Sequence, residues 1–232
     1  MAKLGTLFAA FLLFLPVPGW TQERPVLVEL FTSQGCSSCP PADDLLRELA
    51  ARDEVIALAL HVDYWDYIGW PDSFARPEYT ARQRAYAREG GENMVYTPQM
   101  VINGTDGVVG TYPKDVNALI SEHMSRPAMV TLDVTRQGGR LSIEARAEPG
   151  TGGTCAVQLV RYRPQATVEV TRGENAGRTL NHANVVTDMT LLADWDMAGP
   201  LALDVPLTGD LPAVVVIQQG RFGPVQAVAR VE

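Results

Sequence analysis

Residues 29–41 read ELFTSQGCSSCPP, in which Cys36 and Cys39 are separated by two serines. The apolar run just before, VLV at residues 26–28, predicts a buried strand. The segment just after, DDLLRELA at residues 43–50, predicts an amphipathic helix. The two cysteines are therefore predicted to lie at a corner where a strand turns into a helix.

The beginning of a helix gives this corner its expected chemistry. Unpaired backbone N–H groups and the positive end of the helix dipole stabilise a thiolate there, which makes the sulfur a nucleophile near neutral pH. Pro40 and Pro41 suit the first turn, because the missing N–H of proline costs little at that position. We predict that Cys36 is the exposed, attacking sulfur and that Cys39, deeper in the helix, is the resolving one.

A second strand follows the helix. The segments at residues 24–31, 40–51 and 54–62 predict a strand, a helix and a strand. Elements of these lengths in this order predict a right-handed parallel βαβ unit. Sites in parallel sheets lie beyond the carboxyl ends of the strands. Residues that follow the second strand are therefore expected to lie near the cysteines.

Three residues meet this expectation, namely His61, Asp63 and Trp65. His61 and Asp63 are candidate proton shuttles for the thiols, since both side chains exchange protons. His61 alternatively hydrogen-bonds a backbone carbonyl or binds a metal ion. Trp65, with Trp70, walls a substrate groove or packs beneath its own loop.

The chain continues with a helix and a hairpin. Residues 78–89 predict a helix that ends at Gly90-Gly91. A short strand with Pro98 at its start then leads to the turn NGTDG at residues 103–107, a pattern typical of a β-hairpin. Residues 113–124 predict a closing helix.

This order of elements resembles the thioredoxin fold over about residues 24–126, with Cys-x-x-Cys at a helix head and Thr97-Pro98 before a hairpin. In that family the matching proline is cis and packs beside the two sulfurs, where it leaves an edge free for substrate backbone and discourages metal binding. The resemblance therefore implies that Thr97 and Pro98 bind substrate beside Cys36 and Cys39.

Four segments resemble, more narrowly, a family of exported bacterial thioredoxin-like proteins that carries only a domain-of-unknown-function label. They are VELFTSQGCSSCP at residues 28–40, HVDYWD at 61–66, YTPQ at 96–99 and RGEN at 172–175. This resemblance implies a fold and a site but no established reaction. Gly35 replaces the tryptophan of ordinary thioredoxins and two serines replace their Gly-Pro pair, which leaves the direction of exchange open.

The second half of the chain has the two-residue period of β-strands. Val130, Leu132 and Val134 alternate with polar residues, and similar runs recur to the end of the chain between Gly- and Pro-rich turns. Many short strands of this kind predict an antiparallel β-sandwich. The predicted fold is thus an α/β thioredoxin-like domain, residues 24–126, followed by an antiparallel β-sandwich domain, residues 127–232.

The first 19 residues are predicted to be a cleaved signal peptide. Lys3 precedes an apolar run from Leu4 to Leu15 that is too short to span a bilayer, and PVPG at residues 16–19 ends it. The protein is therefore expected in the periplasm or outside the cell, with no membrane attachment after cleavage. The formal net charge of −8 argues against binding to nucleic acid or to anionic membranes.

The chain contains three cysteines, too few for a framework of structural disulfides. Cys155 alternates with Val157 and Leu159, which predicts a buried, inert thiol. Cys36 and Cys39 are predicted to form a redox-active pair that needs no cofactor. Its partners would be protein or peptide thiols and disulfides, together with a redox partner protein.

Two other uses of the cysteine pair remain open at this point. One is an inert structural disulfide in a binding module. The other is a copper- or zinc-handling module through Cys36, Cys39 and His61, although zinc would need further ligands from Cys155, His123 or His182, and none has the spacing of a zinc finger. The loop at residues 172–178 either folds over the cysteines to bind an anionic or peptide group or is a long hairpin turn.

Overall fold

The computed structural model describes residues 24–231, so the predicted signal peptide at residues 1–19 lies outside the described part of the chain. None of the described helices is long and apolar enough to cross a membrane. A 3₁₀ helix covers Asp66–Ile68. The other elements are β1 (Val26–Thr32), α1 (Pro40–Ala50), β2 (Val55–His61), α2 (Pro77–Glu89), β3 (Gln99–Ile102), β4 (Asp106–Val109), α3 (Pro113–Ser125), β5 (Val130–Gln137), β6 (Arg140–Ala147), β7 (Cys155–Glu169), β8 (Thr179–Trp195), β9 (Leu201–Pro206), β10 (Ala213–Gln219) and β11 (Val225–Val231).

The described strands form two sheets. The large sheet has eight strands in the order β11-β10-β7-β8-β2-β1-β3-β4, and the small sheet has three in the order β5-β6-β9. β1 pairs in parallel with β2, and α1 connects them, so the predicted βαβ unit is confirmed. The other neighbour of β1 is β3, which runs antiparallel to it.

The predicted fold class, a thioredoxin-like domain followed by a separate β-sandwich, is wrong. β2 pairs in parallel with β8 through Ala59 and Val185, so strands from both halves of the chain share one sheet. Asn184, which has a φ of 47°, reinforces the junction by donating from Nδ2 to the carbonyl of Ala57 at 2.9 Å. Apolar alternation shows which face of a strand is buried, but it carries no information about the neighbouring strand.

β1 is an interior strand of the large sheet, between β2 and β3, and is buried along its whole length. Val28 and Leu30 face a core formed with α1 and α3, whereas Leu27 and Phe31 face a second core that includes residues of α2 and β10. A strand with both faces covered needs apolar residues on both, which explains why the run before the cysteines is continuous rather than alternating.

The small sheet covers a third core with residues of β7 and β10. Cys155 lies in this core, fully buried, with its Sγ 3.7 Å from the Sδ of Met197. Burial raises the pKa of the Cys155 thiol. The predicted burial of Cys155 is therefore confirmed.

The predicted hairpin is formed by β3 and β4, which pair in antiparallel fashion from Gln99↔Val109 to Ile102↔Asp106. Asn103 and Gly104 in its turn both have positive φ, 45° and 71°. This is the conformation for which an Asn-Gly pair is favoured in hairpin turns.

A buried polar network connects β1, α2 and β10. Arg82 donates from Nε to Oε1 of Glu29 at 2.7 Å and from Nη2 to the Tyr86 hydroxyl at 2.6 Å and to Oε1 of Gln218 at 3.0 Å. The side chains of Arg82 and Glu29 are 5% and 1% exposed. Burial opposes the charge on Arg82, but Glu29 holds the pKa of the guanidinium above its usual value. The network therefore contains a desolvated ion pair within the first half of the chain, and the hydrogen bond from Arg82 to Gln218 links it to the second half.

Candidate functional site

The predicted strand-to-helix corner is present. Residues 33–39, called here the dithiol segment, connect β1 to α1, and Cys36 and Cys39 form a disulfide within it. Cys39 is the N-cap residue of α1, and its carbonyl accepts hydrogen bonds from the backbone N–H groups of Ala42 and Asp43 at 2.9 and 3.1 Å. The sulfur pair thus lies at the positive end of the helix, as the sequence predicted.

The predicted exposure of Cys36 is wrong, because Cys36 and Cys39 are both 0% exposed. The neighbouring Ser37 and Ser38 are exposed, and Sγ of Cys36 lies 3.4 Å from Oγ of Ser38. Segments distant in sequence cover the corner, and local spacing contains no information about them. The disulfide can react with a large substrate only after part of this cover moves.

One part of the cover follows β2. Gly35 is close to Trp65 and Ile68: a Cβ at position 35 would lie 3.3 Å from Cβ of Trp65 and 3.4 Å from Cδ1 of Ile68. Trp70 donates from Nε1 to Oε1 of Gln34 at 2.9 Å. The tight approach explains the glycine before the first cysteine, since a tryptophan at that position would collide with this segment.

The other part of the cover is the loop at residues 172–178, between β7 and β8. Asn175 is fully buried, and its Nδ2 donates to the carbonyls of Gln34 and Cys36 at 2.9 and 3.0 Å. Arg178 donates from Nη1 to Oδ1 of Asn175 at 2.9 Å. The loop is therefore both a hairpin turn and the segment that folds over the dithiol.

We expect Asn175→Ala to increase the rate at which dithiothreitol reduces the disulfide by about tenfold. The substitution removes the side-chain donor to the carbonyls of Gln34 and Cys36, of which that of Cys36 keeps the N–H of Cys39 as a donor. The carbonyl of Gln34 left without this donor costs about 1–3 kcal/mol in the closed form, which favours opening of the loop. Stopped-flow tryptophan fluorescence would follow the reduction. Glu174→Ala, at the exposed neighbouring position, is the matched control. Equal rates in the two variants would show that the loop does not limit access.

The Thr97–Pro98 peptide bond is cis, as the resemblance implied. Pro98 is buried and directly precedes β3, where Gln99 pairs with Phe31 near the end of β1. Pro98 therefore lies at the same end of the sheet as the dithiol segment. Trp65 donates from Nε1 to Oγ1 of Thr97 at 2.7 Å, so these predicted substrate-binding residues are connected. Their binding of substrate stays a prediction.

The two candidate proton shuttles, His61 and Asp63, have different hydrogen-bond partners. His61 is fully buried, and its Nδ1 lies 2.7 Å from Oδ2 of Asp72, which also accepts the backbone N–H of Gln34 at 2.7 Å. Asp63 instead accepts a 2.6 Å hydrogen bond from the Thr80 hydroxyl of α2. His61 is thus connected to the dithiol segment through Asp72, whereas Asp63 is held by α2.

The environment of Asp72 favours its charged form. Burial alone would raise the pKa of this carboxyl, but the charge and hydrogen bond of His61 and the backbone N–H groups of Gln34 and Phe74 hold the pKa below its usual value. Asp72 therefore holds Nδ1 of His61, whereas Nε2 has no hydrogen-bond partner among the described residues.

Sequence reasoning missed the two residues that complete this buried region, Asp43 and His182. The ring of His182, from β8, lies 4.7 Å from that of His61 between centroids, and its Nδ1 lies 3.5 Å from Oδ1 of Asp43. His182 entered the sequence analysis only as a zinc ligand without a partner. No sequence pattern marks His182, because Asn181 and Asn184 beside it are polar as well and β8 approaches α1 and β2 only in the folded chain.

In residues 24–231, no group of three or more His, Cys, Asp or Glu side chains is arranged to hold a metal ion. Both cysteines of the proposed copper or zinc site are engaged in the disulfide.

The chain matches a family model and is similar to solved structures. A family model described as "Protein of unknown function (DUF1223)" matches residues 27–218. The crystal structure of protein AGR_C_4864 from Agrobacterium tumefaciens is 31% identical in sequence, with a TM-score of 0.77, and the match covers 90% of this chain and 95% of that one. The structure of HBP35 of Porphyromonas gingivalis is 13% identical, with a TM-score of 0.61 over 90% of this chain and 74% of that one, which shows similarity of fold alone. No curated protein matches the sequence.

Proposed function

Since the chain belongs to the DUF1223 family, whose function is unknown, we propose a function from the site itself: thiol–disulfide exchange on exported protein or peptide substrates. The position of the disulfide supports this function. Cys39 caps α1, where a departing or attacking thiolate is stabilised by the helix dipole. Thr97, Pro98 and Trp65, at the same end of the sheet, would hold the substrate backbone.

The reaction uses the two sulfurs in sequence. In the reduced protein the Cys36 thiolate attacks a substrate disulfide, and one substrate sulfur leaves with the electron pair. Cys39, as a thiolate, then attacks Sγ of Cys36 and releases the second substrate sulfur. The Cys36–Cys39 disulfide is the oxidised end of this cycle, and a dithiol of a redox partner protein would restore the reduced pair by the reverse steps and would itself become a disulfide.

Export is part of the proposal. Residues 1–19 have the features of a signal peptide, and a disulfide persists more readily in an oxidising compartment than in the cytosol. The periplasm or the extracellular space would supply both substrates and the oxidising conditions. The negative net charge suits neither nucleic acid nor an anionic membrane as a partner.

One observation favours a second function, a binding module whose disulfide is structural. Both sulfurs are fully buried, and Asn175 ties the second half of the chain to the dithiol segment. A disulfide that only stabilises the fold is expected to resist reduction by small thiols under native conditions.

The reduction potential separates the two functions. An exchange catalyst is expected between about −270 and −120 mV, whereas a structural disulfide lies below about −300 mV. We expect the Cys155→Ser variant, which removes the third thiol, to give a value in the first range after equilibration with dithiothreitol under native conditions. A value in the second range would favour the binding module.

A further inference from the structure

Four buried titratable side chains form a connected group beside the dithiol segment, called here the relay cluster. It contains Asp43 of α1, His61 of β2, Asp72 of the following loop and His182 of β8, which are 4%, 0%, 6% and 3% exposed. Asp72 contacts Nδ1 of His61, the two imidazole rings meet edge to face, and His182 faces the carboxylate of Asp43.

Several polar atoms of this cluster have no hydrogen-bond partner among the described residues. They are Oδ1 of Asp43, Nε2 of His61, and both ring nitrogens of His182. A buried polar atom without a partner costs about 1–3 kcal/mol. Such atoms in a native interior call for an explanation, of which a chemical role is one.

Both ends of the cluster reach the dithiol segment. Oδ2 of Asp72 accepts the backbone N–H of Gln34, two residues before Cys36. Asp43 lies one helical turn after Cys39, and residues four apart on a helix occupy the same face. The backbone N–H of Asp43 donates to the carbonyl of Cys39 at 3.1 Å, and both residues are buried, so the Asp43 carboxyl lies on the helix face that carries the second cysteine.

Reduction of a buried disulfide requires a proton donor within the protein, and the relay cluster can provide one. When the bond between the sulfurs is broken, Cys39 leaves as a thiolate in a site without solvent, where an uncompensated charge is costly. We propose that His182, acting through Asp43, is the proton-relay residue that protonates and deprotonates Cys39. This inference rests on the proposed exchange function and adds a residue to its site.

The reductant of the Cys36–Cys39 disulfide in this step is a dithiol. One thiolate of the dithiol attacks Sγ of Cys36, the Cys36–Cys39 bond breaks, and Cys39 takes the electron pair. The proton held between Asp43 and His182 moves to Cys39. The dithiol's second thiol then displaces Cys36 as a thiolate, forms the cyclic disulfide and returns its proton to the Asp43–His182 pair.

Other charged groups set the conditions under which His182 holds a proton. Asp43 faces it from α1, and the His61–Asp72 pair lies on the other side of its ring. The ring of Phe74 also contacts the ring of His182. The guanidinium of Arg163, from β7, lies 5.7 Å from the centre of the Phe74 ring. The carboxylates of Asp43 and Asp72 are the negative charges of this cluster, and the guanidinium of Arg163 is a positive charge at the ring of Phe74.

The test compares His182→Asn with the wild-type protein and with His123→Asn. His123 is the matched control, because it is a similarly buried histidine that contacts Asp106 away from the relay cluster. Dithiothreitol would reduce each protein from pH 5 to pH 9, with the rate constant divided by the thiolate fraction of the reductant. Circular dichroism would establish that each variant is folded.

We expect the corrected rate constant of the wild-type protein and of His123→Asn to fall as pH rises, because the relay loses its proton. His182→Asn is expected to be at least tenfold slower at pH 5 and to lose this pH dependence. Asp43→Asn should behave in the same way. A His182→Asn profile that matches the wild type would overturn the relay alone. A wild-type disulfide that dithiothreitol does not reduce would overturn the exchange function, and the relay with it.

Discussion

Cys36→Ser is expected to reduce the rate of insulin reduction to that of dithiothreitol alone. Loss of a nucleophile that acts together with its partners lowers turnover by roughly 10³-fold or more. The substitution removes the sulfur proposed to attack the substrate and prevents formation of the Cys36–Cys39 disulfide, which is the oxidised end of the proposed cycle. Turbidity from precipitating insulin chains measures the rate, and oxidative refolding of a reduced substrate measures the opposite direction.

Two other cysteine variants make this result specific. Cys39→Ser retains the attacking sulfur but has no resolving one, so it should accumulate a mixed disulfide with the substrate that mass spectrometry detects. Cys155→Ser should keep wild-type activity, because Cys155 lies in the core beneath the small sheet. Activity that persists in Cys36→Ser would reject the assignment of Cys36.

Arg82→Met is expected to lower the free energy of unfolding by about 3–5 kcal/mol. The substitution leaves the carboxylate of Glu29 without its cation at a position that is 0% exposed, and it also removes the donor to Tyr86 and Gln218. A buried charge without a partner destabilises the folded state by far more than the intact ion pair stabilises it. Urea denaturation followed by circular dichroism measures the change.

Two control variants distinguish the effect of an unpaired buried charge on stability from the effect of losing an arginine. Arg84→Met, at an exposed position of the same helix, should change stability by less than about 0.5 kcal/mol. The double variant Glu29→Leu with Arg82→Met removes both charges and should recover most of the loss, since well-packed apolar residues can replace a buried ion pair. A single Arg82→Met variant as stable as Arg84→Met would mean that Glu29 is solvated or neutral in the folded protein.

The burial of the dithiol changes how its chemistry must be understood. An exposed Cys36 would react with any thiol that approaches, whereas the covered pair depends on Asn175 and on the segment that contains Trp65 and Ile68. The cover also excludes the water that would otherwise exchange protons with Cys39. Opening of the cover and proton supply from within are therefore two separate requirements of the proposed reaction.

Local patterns in the chain were sufficient to predict the local elements of the site. The apolar run before Cys36, the prolines after Cys39 and the Asn-Gly turn act through sterics and hydrogen bonds between residues a few positions apart. β1, α1 and the β3–β4 hairpin accordingly lie where they were predicted. The cis bond before Pro98 followed from a family resemblance that depends on the same local motif.

Contacts between distant parts of the chain could not be predicted in this way. The pairing of Ala59 with Val185 placed strands of both halves in one sheet, Asn175 joined the loop at residues 172–178 to the dithiol segment, and β8 brought His182 to His61 and Asp43. Apolar alternation reports only that a face is buried, because many strand edges and loops satisfy the same pattern. Which edge pairs, and which loop covers a given corner, depends on the packing of all elements at once, and that was determined only in the folded protein.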